Sequence, residues 1–166
     1  MKFHTSVTYP ADLSSVKRML QDEDFYRRRL EKAPVQVEGV DVRASDGQVQ
    51  ATSSFVARVD ELEIPAGAKR FLPDSGLQIS VVETWNTADN TGKIVFNAKG
   101  LPVSMSATCV LIEEGNKVRR DTDGDLTVSV PLLGRKIETA AIGNISKVVE
   151  LEEEIARRYF NNELGK

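Results

Sequence analysis

The sequence changes character at residues 128–138, which read VSVPLLGRKIE. Up to Val130, apolar and polar residues alternate as in a half-buried strand, and Pro131 ends the strand because it has no N–H group to donate. Residues 133–164 contain no proline and predict one long C-terminal helix. Gly143 is its weak point, marking either a bend or a close approach to the sheet. The broad apolar face of this helix comprises Ile137, Ala141, Ile145, Val148, Leu151 (or Glu152), Ile155 and Tyr159.

Strand signals dominate the segment that precedes this helix. Residues 3–9 alternate as a first strand, and Asp12 or Ser14 can cap the first of two short helices that follow it. Between residues 35 and 130, six further strands are predicted, with turn residues at 46–47, 89–92 and 114–116. Residues 65–73 break this pattern and predict a single helical turn.

The order of these elements predicts the architecture. Consecutive strands joined by short turns pair antiparallel, and one face of the sheet must be covered. The long C-terminal helix is the only predicted element large enough to cover it. We therefore predict an α+β helix-grip fold, in which a curved antiparallel sheet of about seven strands surrounds that helix, as a single domain over residues 1–166.

Composition argues against several classes of function. The net charge of −3 does not favour nucleic-acid binding, and no apolar run approaches the ~18 residues that a membrane span requires. Cys109 and His4 are the only residues of their kinds, which excludes a zinc site of the Cys/His type and disfavours histidine chemistry. We expect a cytoplasmic protein, in which Cys109 is a buried thiol, and we predict no cofactor and no metal.

Two clusters of charged residues could be either solvated surface or a binding site. The basic residues Lys17, Arg18, Lys32 and 27–29 are balanced by nearby acidic residues, which favours a solvated helix face over contact with an acidic partner or membrane surface. Asp121, Asp123 and Asp125 share one strand face without the loop pattern of a calcium site, which favours a solvated edge.

Several motifs resemble those of a known superfamily over nearly the whole chain. The sequence is similar to START-like (SRPBCC, helix-grip) proteins, and more narrowly to an uncharacterised actinobacterial branch known as a domain of unknown function. The motifs that carry the resemblance are Tyr9-Pro10-Ala11 with Val16 and Leu20, Ile64-Pro65, Arg70-Phe71-Leu72-Pro73, Glu83-Thr84-Trp85, and residues 128–138. The resemblance implies a hydrophobic or amphipathic ligand, lipid-like or polyketide-like, held between the sheet and the helix.

Small residues on the predicted inward faces are consistent with such a cavity. Ala51, Ser53, Ala57, Ala98 and Ala107 on the strands face Ala140, Ala141 and Gly143 on the helix, which indicates either close helix packing or a void. The residues that we predict to line the cavity are Phe55, Ile79, Val81, Glu83, Trp85, Phe96, Met105, Arg120, Leu126 and Ala141.

Glu83 is the most informative of these residues. Strand alternation places it among apolar neighbours, where a lone carboxylate is costly, so Glu83 is expected to pair with Arg120, reach solvent, or anchor a ligand. The sequence favours a carrier or sensor of small molecules, since one carboxylate is a weak enzyme signal. The alternatives are a cyclase- or aromatase-like enzyme using Glu83, Arg120 and Tyr9 or Tyr26, and a protein-interaction module. The oligomeric state and ligand identity stay open.

Overall fold

A curved antiparallel sheet dominates the computed structural model, which describes residues 1–164. Within these residues, seven strands lie in the order β1-β7-β6-β5-β4-β3-β2, so each strand from β2 to β6 pairs with its successor and β1 pairs with β7. The strands are β1 Lys2–Tyr9, β2 Val35–Ser45, β3 Gln48–Ala57, β4 Leu77–Asn86, β5 Thr91–Ala98, β6 Val103–Glu114 and β7 Lys117–Val128. The predicted fold class is confirmed. Residues 165 and 166, which the single-domain prediction includes, lie outside the described residues.

Short helices connect several of the strands, and the first of them begins at a predicted capping residue. The Asp12 side chain accepts a hydrogen bond from the Ser15 amide at 2.8 Å, which caps the first helix of the chain. The helices are α1 Leu13–Met19, α2 Glu23–Glu31, α3 Ala66–Lys69, α4 Gly134–Gly143 and α5 Ile145–Phe160, with a 3-10 turn at Val59–Glu61. None of the helices within residues 1–164 has both the length and the apolar character required to cross a membrane.

The C-terminal helix is long but bent, which corrects the prediction of one continuous helix over residues 133–164. α4 ends at Gly143 and α5 begins at Ile145, with Asn144 leaving helical geometry at φ −99° and ψ 1°. A Cβ atom placed on Gly143 would meet nothing within 4 Å. Gly143 therefore marks a bend and not a close approach to the sheet, because glycine holds helical geometry only weakly.

Gly134 supplies the close contact between helix and sheet. A Cβ atom at this position would collide with the carbonyl oxygen of Val128 at the end of β7. Its amide donates to the Val130 carbonyl at 2.8 Å, and the Val128 amide donates to the Glu138 carboxylate at 2.8 Å. The glycine of the 128–138 motif thus allows the first turn of α4 to lie directly against the last strand.

The apolar interior is divided into two clusters along the strands. The larger lies beneath α1, α2 and α5 and includes Trp85, Tyr9 and Phe25. The smaller lies at the other end of the central strands and consists of Ala57, Leu77, Ile79 and Ala98 with partly buried neighbours. The middle of the concave sheet face, between the clusters, is left for the site described next.

Candidate functional site

A cavity of about 370 Å³ lies between the concave face of the sheet and helices α2 and α5. Its position follows from the order of inward residues along each strand. On β4, Ile79 packs in the smaller cluster and Trp85 in the larger, while Val81 and Glu83 between them face the cavity. The apolar wall consists of Phe3, Leu30, Ala33, Val35, Phe55, Val81, Ile94, Phe96, Met105, Ala107, Ile145, Val148, Val149 and Leu151.

One end of the cavity is polar and carries two arginines and two glutamates. Arg120 on β7 donates to both carboxylate oxygens of Glu152 on α5, at 2.6 and 3.1 Å. Arg29 on α2 donates to Glu152 at 3.1 Å and, through its other terminal nitrogen, to Glu83 on β4. The Tyr9 hydroxyl completes the group by donating to Glu152 at 2.5 Å. Two helices and three strands therefore meet in one buried network of alternating charge.

Burial and mutual attraction set the ionisation of this network. Burial by itself would raise the pKa of the Glu152 carboxyl, but the charges of Arg120 and Arg29 and the Tyr9 hydrogen bond outweigh burial and lower that pKa to about 2. Burial likewise opposes the charge of Arg120, yet the Glu152 carboxylate raises the pKa of Arg120 well above its usual value. Burial raises the pKa of Tyr9 well above its ordinary range, so Tyr9 is a neutral donor.

Two atoms of the network have no hydrogen-bond partner within residues 1–164. They are Oε2 of Glu83 and Nε of Arg120, and both are buried. Both residues line the cavity, and the Glu83 side chain is only 4% exposed. A buried polar atom without a partner is costly in a folded protein, which makes these two atoms the chemically informative part of the site.

The predicted cavity residues divide into two groups. Those on the cavity wall are Phe55, Val81, Glu83, Phe96, Met105 and Arg120. Ile79 and Trp85 are the inward residues of β4 that come just before Val81 and just after Glu83. Ile79 packs in the smaller apolar cluster and Trp85 in the larger one, so neither lines the cavity. Leu126 is separated from the cavity because the Phe3 ring lies over Gly124, the inward residue between Thr122 and Leu126.

Ala141 is also away from the cavity. It is exposed on α4, because the bend at Gly143 interrupts the helical face on which it was placed. Beyond the bend, α5 contributes Ile145, Val148 and Glu152 to the cavity wall. The helical face predicted from sequence therefore reaches the site only in its second half.

Of the three alternatives for Glu83, pairing with Arg120 is wrong. Glu83 pairs with Arg29, and Arg120 pairs with Glu152, because the helices place their own charges between the two strands. The sequence favours a solvated face for Arg29, but the Arg29 guanidinium lies 5.5 and 5.2 Å from the ring centroids of Phe25 and Tyr26. The sequence contains a signal for this inward orientation, because Arg29 lies four residues after Phe25 and three after Tyr26, on the same face of the helix.

From the sequence, Glu152 is only an alternative to Leu151 on the apolar face of the helix. It is 2% exposed, and it lies three and four residues before Ile155 and Ala156, which are both buried. A carboxylate within an apolar helical stripe indicates a buried partner, since a lone buried charge is strongly unfavourable. That pattern was the available signal, although it could not identify which arginines serve as partners.

The other polar residues considered from the sequence have hydrogen-bond partners within the protein. The Tyr26 hydroxyl donates to the Leu20 carbonyl at 2.8 Å, so neither Tyr26 nor Tyr9 has its hydroxyl free for the acid–base role that the enzyme alternative assigned to one of them. Asp121 and Asp123 contact Ser6 and His4 across β1, and Cys109 is buried beside Thr122. Among the described residues, no three His, Cys, Asp or Glu side chains form a group that could hold a metal ion.

A curved sheet, a long bent C-terminal helix and a cavity between them define the START-like class of fold. Solved structures with low sequence identity to this chain have a similar fold. A START superfamily protein from Mycobacterium smegmatis superimposes with a TM-score of 0.59 at 11% identity, over 95% of this chain and 98% of its own. The Zhui aromatase/cyclase from Streptomyces sp. R1128 gives a TM-score of 0.63 at 12% identity, over 95% and 94%.

Sequence comparison narrows this class to one family. The model described as "Protein of unknown function (DUF2505)" matches residues 4–160, so the chain belongs to that family. An uncharacterized protein of Mycobacterium tuberculosis is 25% identical over 171 residues, which cover 96% of this chain and 97% of the relative. The predicted resemblance to START-like proteins and to an uncharacterised actinobacterial branch is confirmed.

Proposed function

We propose that this protein binds a hydrophobic or amphipathic small molecule in the cavity between the sheet and helices α2 and α5. The observation that carries the proposal is the cavity itself, about 370 Å³ in volume, with mainly apolar walls and a polar group at one end. Pockets for small molecules typically measure ~300–1,000 Å³ and combine apolar walls with a few polar groups. The volume and the distribution of polarity both fit that description.

The side chains around the cavity explain why it is not filled by the protein. Protein interiors are normally close-packed, and voids larger than a water molecule are few. Here Ser53 and Ala107 present short side chains to the cavity between larger neighbours. A ligand that covers the apolar wall gains ~25 cal/mol for each Å² of apolar surface removed from water.

The helix side of the cavity offers a route for entry. Val148 on α5 lines the cavity and is also 59% exposed, so solvent reaches the wall at this residue. Val148 lies one turn beyond the bend at Gly143 and Asn144.

Native mass spectrometry of protein purified without detergent tests the proposal. We expect an additional mass in the native spectrum that disappears on denaturation, since an apolar ligand is retained from the expression host. Ala107→Leu places three further carbons on the cavity wall and is expected to abolish the additional mass. Ser106→Leu is the matched control, because Ser106 is the adjacent residue of β6 and is exposed on the outer face.

The same pair of variants provides a second measurement. An apolar fluorescent probe such as N-phenyl-1-naphthylamine is expected to bind wild type and Ser106→Leu with equal affinity and Ala107→Leu at least tenfold more weakly. Equal binding by all three proteins, together with identical native and denatured masses, would contradict ligand binding in this cavity.

A further inference from the structure

The polar end of the cavity is electrically neutral, and this restricts the ligand. Arg29 and Arg120 supply two positive charges, and Glu83 and Glu152 supply two negative charges. The four side chains are 15%, 6%, 4% and 3% exposed in that order, so solvent screens them little. Within residues 1–164, no other charged side chain lines the cavity.

A charged ligand would upset this balance. The carboxylate of a fatty acid would add a third negative charge to a network whose two cations are already paired, Arg29 with both glutamates and Arg120 with Glu152. An ammonium group would add a third positive charge in the same way. Burying a charge without a partner costs several kcal/mol, which exceeds the gain from an additional stretch of apolar contact.

The two partnerless atoms define what an uncharged ligand must offer. Oε2 of Glu83 is a hydrogen-bond acceptor and requires a donor, whereas Nε of Arg120 is a donor and requires an acceptor. The other oxygen of Glu83 is occupied by Arg29, so the carboxylate is held in place while Oε2 lacks a partner. A hydroxyl group both donates and accepts, which neither an ether nor a carboxylate does at neutral pH.

We propose that the ligand of this cavity is an uncharged apolar molecule bearing an alcohol or phenol hydroxyl, which donates a hydrogen bond to Oε2 of Glu83. This inference rests on the proposed function and specifies its ligand class. The hydrocarbon part of the ligand lies against the apolar wall near Phe55, Phe96 and Met105.

A matched series of probes that share one eight-carbon chain tests the inference by isothermal titration calorimetry at pH 7.5. The probes are 1-octanol, its methyl ether, octanoate and octylammonium, which share one chain and differ only in the polar end. We expect 1-octanol to bind about tenfold more tightly than the methyl ether, because a hydrogen bond to a charged acceptor is lost in the ether. Octanoate and octylammonium are expected to bind at least tenfold more weakly than 1-octanol.

The variant Glu83→Gln alters the charge of the site and gives an independent result. Removing one negative charge leaves the network with an excess of one positive charge, so the preference for 1-octanol over octanoate should fall or reverse. Glu150→Gln, an exposed change on α5, is the control and should retain the wild-type preference. Circular dichroism establishes whether Glu83→Gln folds, and if it does not, the four-probe comparison on wild type decides alone.

The outcomes separate the inference from the proposed function. Binding of octanoate or octylammonium as tightly as 1-octanol, or equal binding of the alcohol and its ether, would overturn the inference and leave a ligand-binding cavity in place. Failure of all four probes to bind, together with no ligand in native mass spectrometry, would contradict the proposed function and the inference with it.

Discussion

Arg29 and Glu152 are separated by 123 residues in the chain and meet at 3.1 Å in the interior. Each is the charged member of an otherwise apolar helix face, and each is stable there only because the other charges of the network are present. Glu83 and Arg120 contribute the matching charges from the sheet. The network therefore joins α2, α5 and the sheet through groups that cannot be removed singly without leaving a buried charge.

Replacing Arg29 by methionine should destabilise the protein by about 3–5 kcal/mol, because Glu83 is left as a buried carboxylate without its cation. The measurement is the free energy of unfolding from urea denaturation at pH 7. Arg28→Met is the matched control, since the Arg28 side chain is 41% exposed and pairs with its helix neighbour Glu31. We expect the control to change stability by no more than about 0.5 kcal/mol. Equal effects of the two changes would contradict a buried network.

Glu152 gives a prediction about pH. Its pKa is about 2 in the folded protein and 4.5 in its ordinary state. Its ionised form therefore contributes stability on the order of 3 kcal/mol above pH 4.5, and that contribution is lost as the pH falls from 4.5 to 2. Glu152→Gln removes the titrating group. The gap in unfolding free energy between wild type and Glu152→Gln should be large at pH 7 and should narrow steadily below pH 4.5.

Glu150→Gln is the control for this series, because Glu150 lies on the exposed side of α5. Its unfolding free energy should follow that of wild type at every pH. A gap between wild type and Glu152→Gln that stays constant from pH 7 to pH 3 would show that Glu152 does not titrate with a lowered pKa.

At the scale of the elements, glycines decide how closely strands and helices approach each other. Gly92 on β5 lies opposite Trp85 on β4, and a Cβ atom there would be 2.6 Å from the indole ring. Gly124 on β7 lies under the Phe3 ring in the same way. Gly143 differs, because it has open space around it and interrupts the C-terminal helix.

Gly92→Ala and Gly143→Ala should therefore have opposite effects. The first forces the buried Trp85 ring to move and should destabilise the protein by about 1–3 kcal/mol. The second adds a good helix former where space permits and should stabilise the protein by about 0.5–1 kcal/mol. Thermal and urea unfolding at neutral pH measure both changes. Stabilisation by Gly92→Ala would contradict the packing of Trp85 on β5.

At the scale of the whole molecule, two apolar clusters hold the ends of the sheet and leave the middle open. The larger cluster includes α1, α2 and α5 and fixes the position of the polar network. The smaller cluster holds the ends of β3, β4 and β5 through Ala57, Leu77, Ile79 and Ala98. Because each cluster packs without the cavity, the fold is maintained around an internal space.

Ligand binding should consequently stabilise the protein. At a free 1-octanol concentration of one hundred times its dissociation constant, the gain is about 2.7 kcal/mol, which corresponds to roughly 5–10 °C in melting temperature for a chain of this size. Differential scanning calorimetry with and without 1-octanol measures the shift. Ala107→Leu should show a much smaller shift than Ser106→Leu, and an equal shift in both would locate the binding elsewhere.

The sequence by itself determined the order and type of the elements. Alternation predicted the strands, turn residues at 46–47, 89–92 and 114–116 predicted their connections, and the absence of proline after Pro131 predicted the C-terminal helix. These features depend on interactions between residues close in sequence. Apolar residues recur every two residues along a strand and every 3.6 along a helix, so the sequence pattern shows which element forms. The break after Gly143 was visible as a weak point, although the choice between a bend and a close contact was not.

Only the tertiary structure decided the partners of the buried charges and the limits of the cavity. Glu83 could be recognised as a buried carboxylate from strand alternation, but its pairing with Arg29 depends on how α2 crosses the sheet. Ile79 and Trp85 share a strand face with Val81 and Glu83, yet they lie outside the cavity because other elements cover them. Periodicity assigns a residue to a face, whereas long-range packing decides what that face meets.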